Sequence, residues 1–535
     1  MDDSVENDWT EDSEAAETAH ATSTEHRPAW QSVLLVLTCT LAMILSTASS
    51  VGLTIFYPVI GSDLAVREEL LQWLASAFSL SSGCFLLLFG RLADLYGRKK
   101  LYVGGTLYLG ILHLGCGFAR NATTLFVLRG LQGLGAAAFI PACIGILAHA
   151  FPPSRARSVA FATFSAGAPL GGAVGTQIGA VLTQYTKSSW RSSFYLLAGI
   201  SLLCAIGGLL LIDADLPSTE PNRRVDWIGA FLVTVGLVFV VFALSEGSLA
   251  SKGWKTGYII ALLIVGVLFI TLFIGWQHHL EKRQSEPDNR RPPPLMKLSM
   301  WRRAKGKFAV VQVIAFLQWS SFLTWSFWSQ LYYENYVKLS PVHTAVRLLP
   351  MTVAGLACNV FVMFVVSRMP LVVLISSGTL LASLAGLLFA IIQPSAPYWA
   401  YGFPSAILSV CGADFVFASG TLFIAKVSLP HEQSLAGGLF QTLTRVGTAF
   451  GLAISTIAFD AIASKSESEA GAPLEAYKAA QWTAFGFAMF CTLLAVVFLR
   501  GVGPVGTDER RKDGDLEDSP GNETVAVEGE KELEA

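Results

Sequence analysis

Fourteen long stretches with almost no charge set what this chain can become. They fall near 33–59, 71–89, 101–118, 124–148, 158–181, 193–212, 227–245, 257–276, 309–331, 344–366, 371–392, 398–425, 434–459 and 480–502. About 20 apolar residues span a bilayer as a helix. Inside lipid, only helices and closed barrels satisfy their own backbone. The pattern predicts an all-α polytopic membrane protein of about fourteen transmembrane helices, or twelve if 227–276 does not span.

Charge is scarce and unevenly placed. Only 14% of the 535 residues are charged and mean hydropathy is +0.53, too few charges to coat soluble domains of this length. Residues 1–29 carry 9 acids and 1 base, and residues 504–535 carry 11 acids and 4 bases. The body between them is net +13, although the whole chain is −2. The tails read as disordered, acidic and cytosolic. With the N-terminus in the cytosol, inner loops hold 19 Lys and Arg and outer loops 9. That excess predicts both termini inside. Trp30, Trp73, Trp190, Trp227, Trp254, Trp276, Trp399 and Trp482 sit at span ends and read as an interfacial belt. Eight cysteines lie in apolar runs without CxxC spacing. They read as packing residues, with no disulfide framework and no metal site.

The segment 281–307 contains Pro292, Pro293 and Pro294, which break a helix, and a basic stretch suited to anionic headgroups. The expected organisation is therefore a tail at 1–29 and a six-helix half at 30–212. Two additional helices follow at 213–276, then a linker at 277–308, a second half at 309–503 and a tail at 504–535.

Three motifs carry chemistry. Residues 90–100 read GRLADLYGRKK. Gly90 and Gly97 permit close approach and a tight turn. Asp94 can accept from a neighbouring helix N-terminus and pair with Arg98. Arg129 opens RGLQGLG, and a buried arginine is costly and usually functional, although Arg129 could also snorkel to the surface. In FSAGAPLGGAVGTQIGAVL, Gly167, Gly171, Gly175 and Gly179 form one stripe, and small residues at that spacing let a second helix approach. Pro169 removes a backbone donor. These stretches resemble the loop between the second and third helices, the fourth-helix motif and the antiporter motif of the major facilitator superfamily. The matches at Gly167, Gly171 and Gly172 hold, but Ala168 stands at the family's proline position and Pro169 follows one place late.

WRSSFY (190–195), DWIGAFL (226–232), Gly253-Trp254 and RLLPMTVAG (347–355) narrow the likeness. They resemble the fungal 14-helix drug:proton antiporters, in the branch of aminotriazole-resistance, boron-export and low-affinity ammonium transporters. The resemblance covers roughly 30–503. It implies two six-helix halves plus two extra helices. It also implies proton-coupled export of small organic molecules such as drugs or secondary metabolites, with no cofactor. The implied setting is the plasma membrane, with the bilayer, a small-molecule substrate and protons as partners, no nucleic acid, and a monomer. Within that likeness, Asp94 and its neighbours form a latch at the cytosolic face.

The family's first-helix acid is missing, since that helix reads LAMILSTASSVGLTIFYP. Asp414 is the one carboxylate near a span centre, and Arg445 lies at similar depth in the next span. Burial favours the neutral acid and Arg445 the charged one. Two readings follow: a proton switch, or a static pair fixing helix register. Trp319, Phe322 and Trp325 share a face, either lining a cavity for planar molecules or meeting lipid. Gln132, Gln177, Gln318 and Asn359 are candidate polar contacts in the cavity. Asn121 begins a glycosylation sequon in a very short outer loop.

No Walker A, G-x-S-x-G or H-E-x-x-H sequence is present, which argues against an ATP-driven pump or an enzyme. An uptake carrier for a nutrient such as ammonium and a transporter-like solute receptor remain as alternatives.

Overall fold

The computed structural model describes residues 28–50, 57–66, 73–152, 154–215, 224–247, 250, 252–283, 292–339, 341–464 and 473–505. Most of both acidic tails lies outside the described residues.

The described chain is helical, as lipid requires of a backbone with no water to bond. Its helices are α1 (Ala29–Ser50), α2 (Tyr57–Leu64), α3 (Trp73–Tyr96), α4 (Arg98–Gly117), α5 (Ala122–Ala150), α6 (Arg155–Tyr185), α7 (Arg191–Leu211) and α8 (Trp227–Glu246). After them come α9 (Gly257–Arg283), α10 (Lys307–Leu331), α11 (Pro341–Val365), α12 (Leu371–Ala390), α13 (Tyr398–Val427), α14 (Gln433–Ala463) and α15 (Leu474–Phe498). Fourteen of these have at least 20 residues; α2 is the short one.

Twelve of the fourteen are apolar enough to cross a membrane by composition alone. The two that fall short are α4, with its basic Arg98-Lys99-Lys100 start, and α6, rich in Gly, Ser and Thr. Both pack against neighbouring helices, α4 against α5 and α7, and α6 against α1. The doubtful pair at 227–276 is α8 and α9, and both pass.

Packing repeats along the chain. In the first six long helices, α1–α7 without α2, the heaviest contacts join first to fifth, second to fourth, third to fourth and third to sixth. In the last six, α10–α15, the same ordinal pairs pack together. Between the groups, α3 packs on α14 and α6 on α11, which are the second helix of one with the fifth of the other. Such reciprocity is what a two-fold related pair of bundles produces. Helix α8 covers the α3–α14 seam by touching both, and α9 rests on α8.

The span expected at 33–59 is described as α1 up to Ser50 and as the start of α2 from Tyr57, and its residues 51–56 lie outside the described residues. Two sequence expectations need correction. The linker expected from 277 begins later, because α9 runs to Arg283. Its last turns are anchored by buried Gln277, whose Nε2 donates to Asp226 Oδ2 at 2.7 Å. Trp190 is no belt residue. It is fully buried, and its Nε1 donates to Asp63 Oδ2 at 3.1 Å. The adjacent Arg191 pairs with the same oxygen at 2.7 Å, and that hydrogen bond holds the Asp63 carboxyl below the usual aspartate range. By contrast Trp30, Trp227 and Trp399 are exposed at span ends, and Trp482 is exposed but lies inside α15.

Candidate functional site

The end of the bundle where α3 turns into α4 is the most heavily bonded junction between the two groups. Asp94 Oδ1 accepts from Arg98 Nη2 at 2.9 Å and from Nε at 3.2 Å. The same carboxylate accepts from the backbone of Ser434 at 3.2 Å and of Leu435 at 2.8 Å. Those are first-turn amides of α14, which have no partner within their own helix. Arg98 also donates to the carbonyls of Gly145 at 2.9 Å and of Pro430. Asp94 thus bridges α3 and α14, and Arg98 extends the bridge to α5.

Glycine makes this closeness possible. A β-carbon on Gly90 would stand 2.9 Å from Ser434 O, and one on Gly438 2.8 Å from Leu86 O. Gly97 has φ +118° and lies under the Asp215 carboxylate. That carboxylate accepts from the amides of Lys99 (2.8 Å) and Lys100 (3.2 Å) and so caps α4. Deeper in the seam, Thr442 Oγ1 donates to Gly83 O at 3.3 Å. Among the described residues, the hydrogen bonds crossing between the groups gather at this end.

The glycine stripe of α6 faces α1. β-Carbons on Gly167 and Gly171 would meet Thr40 O at 2.9 Å and Ile44 O at 2.5 Å. Gly172 has open space instead, and Gly175 lines an apolar crevice with Ala48 and Leu197. Pro169 points the other way, toward Gly355 on α11.

Asp414 is buried on α13. Its Oδ2 has no hydrogen-bond partner and sits 3.0 Å from where a Gly355 β-carbon would be; Pro169 Cβ lies 3.3 Å from the same point. Gly355 therefore separates a carboxylate of one group from the motif proline of the other. The structure does not bring Asp414 and Arg445 together, and no ion pair joins them. The physical reason is the face of each helix: Arg445 Cβ packs toward Gly83 on α3, while Asp414 turns to α11.

Arg129 is fully buried. Its Nε donates to Leu74 O at 2.8 Å, its Nη1 to Gln132 Oε1 at 2.9 Å, and its guanidinium covers the Phe78 ring at 4.8 Å. It does not snorkel. Gln177 is exposed, and Asn359 is buried with its Nδ2 on Gly355 O. Trp319 packs at a tilt against Phe417, with ring centroids 5.5 Å apart, and Phe322 is half-buried. Trp325 leaves that face and is buried with its Nε1 on Ser405. Gln318 is buried, and neither of its amide atoms has a hydrogen-bond partner. Asn121 caps α5, accepting from the Thr124 amide at 2.8 Å.

Two groups escaped sequence reasoning. His113, buried on α4, meets Ser49 Oγ at 3.0 Å and Ser201 Oγ at 3.4 Å. A lone histidine inside an apolar run was the available signal. The second, Glu432, immediately precedes α14 with its side chain only 2% exposed. Burial opposes its charge, but His431, Arg303 and Lys297 hold the carboxyl down to about 2.

The family model of the Major Facilitator Superfamily matches residues 39–226 and 217–452. The chain belongs to that superfamily. It is a multi-pass membrane transporter and not an enzyme. Its similarity to the low affinity ammonium transporter of Saccharomyces cerevisiae is 27% identity over 88% of this chain and 88% of the relative. To the puromycin resistance protein of Streptomyces alboniger it is 30% identity over 79% of this chain and 80% of the relative. The solved structure of the human organic anion transporter MFSD10 superposes with TM-score 0.62 at 14% identity, covering 88% of this chain and all of that one. That superposition shows the fold.

Proposed function

We propose that this superfamily member is a proton-coupled exporter of small organic molecules that works by alternating access. The observation that carries the reading is the Pro169–Gly355–Asp414 contact. It puts a buried carboxylate against the seam that must slide when two bundles rock, so its surroundings change between states. A group whose environment alternates in this way can load a proton in one state and release it in the other.

The halves in this reading are 30–212 and 309–503, with 213–276 and the linker between them. The latch at Gly90, Asp94, Gly97 and Arg98 lies at the cytosolic face, and its closure here corresponds to the outward-facing state. Both termini are cytosolic, and the protein acts as a monomer in the plasma membrane. Asp414 carries the proton, and Arg129 shapes the opposite wall with Gln132. The aromatic pair Trp319 and Phe322, with Asn359, supplies substrate contacts. The resistance function in the name of one relative favours export.

Everted vesicles with an acidified lumen test this, with puromycin as the first probe and a panel of planar amphipathic amines behind it. Export predicts accumulation that collapses with the pH gradient and is lost in Asp414→Asn. Accumulation of methylammonium only in right-side-out vesicles would replace it with uptake, the activity named in the ammonium transporter relative. Unchanged pH-driven accumulation in Asp414→Asn would remove that residue from coupling.

A further inference from the structure

The turn that Asp94 and Arg98 grip has a second holder on its other side. Residues 430–435 present Pro430 O to Arg98 and the Ser434 and Leu435 amides to Asp94. Between them stands Glu432. Its Oε2 pairs with Arg303 Nη2 at 2.6 Å, and its Oε1 with Lys297 Nζ at 3.2 Å and His431 Nε2 at 3.5 Å. The Arg303 contact is one of charge, not an aligned hydrogen bond. Lys297 and Arg303 both belong to the linker that enters α10, which turns there through Ala304, Lys305 and Gly306 at positive φ.

The linker is also tied at its near end to the extra helices. Met296 N donates to Gln277 Oε1 at 3.1 Å, and Leu298 N and Ser299 N donate to Glu281 at 2.9 and 3.1 Å. Gln277 and Glu281 lie on α9, which rests on α8, and α8 packs on α3 and α14. Buried Leu295, Met296 and Met300 seat the segment in the core. A closed circuit results: α3, latch, 430–435 turn, Glu432, linker, α9, α8, and α3 again.

We propose that Glu432 is a positioning residue of the transport cycle. By gripping Lys297 and Arg303 it holds the 430–435 turn in the register where Asp94 and Arg98 can engage it. Closing the latch and docking the 295–303 segment are then one event. The two additional helices take part in the gate through the linker. A buried carboxylate with two cations is costly to separate once one partner goes, so the turn and the linker leave or arrive together.

The inference rests on alternating access, but it can be tested without any substrate or proton gradient, so its failure is distinct from failure of the export reading. Hydrogen exchange on the purified full chain in nanodiscs reads it directly. Asp94→Asn should speed exchange at the Ser434 and Leu435 amides and also at Met296, Leu298 and Ser299, by about tenfold. Glu432→Gln should speed the same two sets, and the exchanged pair Glu432→Arg with Arg303→Glu should restore protection. Asp94→Asn that frees only 434–435 and leaves 296–299 protected would overturn the proposal. Glu432→Gln that leaves 434–435 as protected as the parent would do the same.

Discussion

Asp414 and Pro169 face each other across Gly355. The carboxylate Oδ2 and the proline Cβ lie 3.0 and 3.3 Å from the place a side chain on that glycine would occupy. There is room for hydrogen and for nothing larger without movement. Gly355→Ala should therefore fold, gain slightly in helix propensity by about 1 kcal/mol, and lose transport. The added methyl pushes α6 away from the acid in the closed seam. We expect a fall in pH-driven vesicle accumulation of about tenfold, equivalent to about 1.4 kcal/mol. Full transport in a folded Gly355→Ala would show that the contact has no part in the cycle.

Adjacent glycines of the α6 motif should differ sharply. A methyl on Gly171 meets the Ile44 carbonyl at 2.5 Å, a backbone atom that cannot swing aside, whereas Gly172 has nothing within 4 Å. Gly171→Ala should destabilise by about 1 to 3 kcal/mol through overpacking. Gly172→Ala should be neutral or stabilising. Melting curves of the two variants in one detergent decide the matter. Equal losses would mean that the stripe is read by something other than the α1 seam.

Much of the architecture was legible because lipid leaves a backbone few choices. Long apolar runs had to be helices, and their ends fell where Lys, Arg and Pro allowed. Motif residues around Asp94 were legible one by one, since a glycine beside an acid and an arginine one turn on suggests a junction. What they join was not: Asp94 meets amides 340 and 341 positions away. The Asp414–Arg445 pairing failed for a related reason. Residue counting gives depth along a helix, but a shift of one or two positions rotates a side chain to another neighbour. Glu432 was missed because a loop acid between spans looks solvated until the linker's cations are folded onto it. Trp190 at a span end looked interfacial, but Asp63, from α2, supplies its hydrogen-bond partner.

Asp94→Asn keeps the shape of the latch and removes its charge. The acid accepts from two guanidinium nitrogens and two helix amides. Bonds to a charged group contribute about 1.5 to 3 kcal/mol in net terms. A loss near the lower figure should drop the melting temperature by about 3 °C. It should also shift spin-label distances across the latch end toward a separated population. Asp215→Asn, whose parent carboxylate caps α4 within one group, should lower stability without that shift. A similar distance change in both variants would mean that Asp94 acts only locally.

Glu432 gives the clearest pH signature outside the spans. Its carboxyl is held to about 2 in the folded protein, against about 4.3 in an unfolded chain. A depressed acid stabilises the folded state above its unfolded value, and that contribution fades as pH falls toward the folded one. The difference is on the order of 3 kcal/mol. The melting-temperature gap between the parent and Glu432→Gln should therefore be present at neutral pH and should narrow steadily below about 4.3. Lys297→Met, which removes one of the cations at 3.2 Å, should show part of the gap with the same pH dependence. A gap that closes already between pH 7 and 6 would mean that the linker does not hold this carboxylate in its charged form.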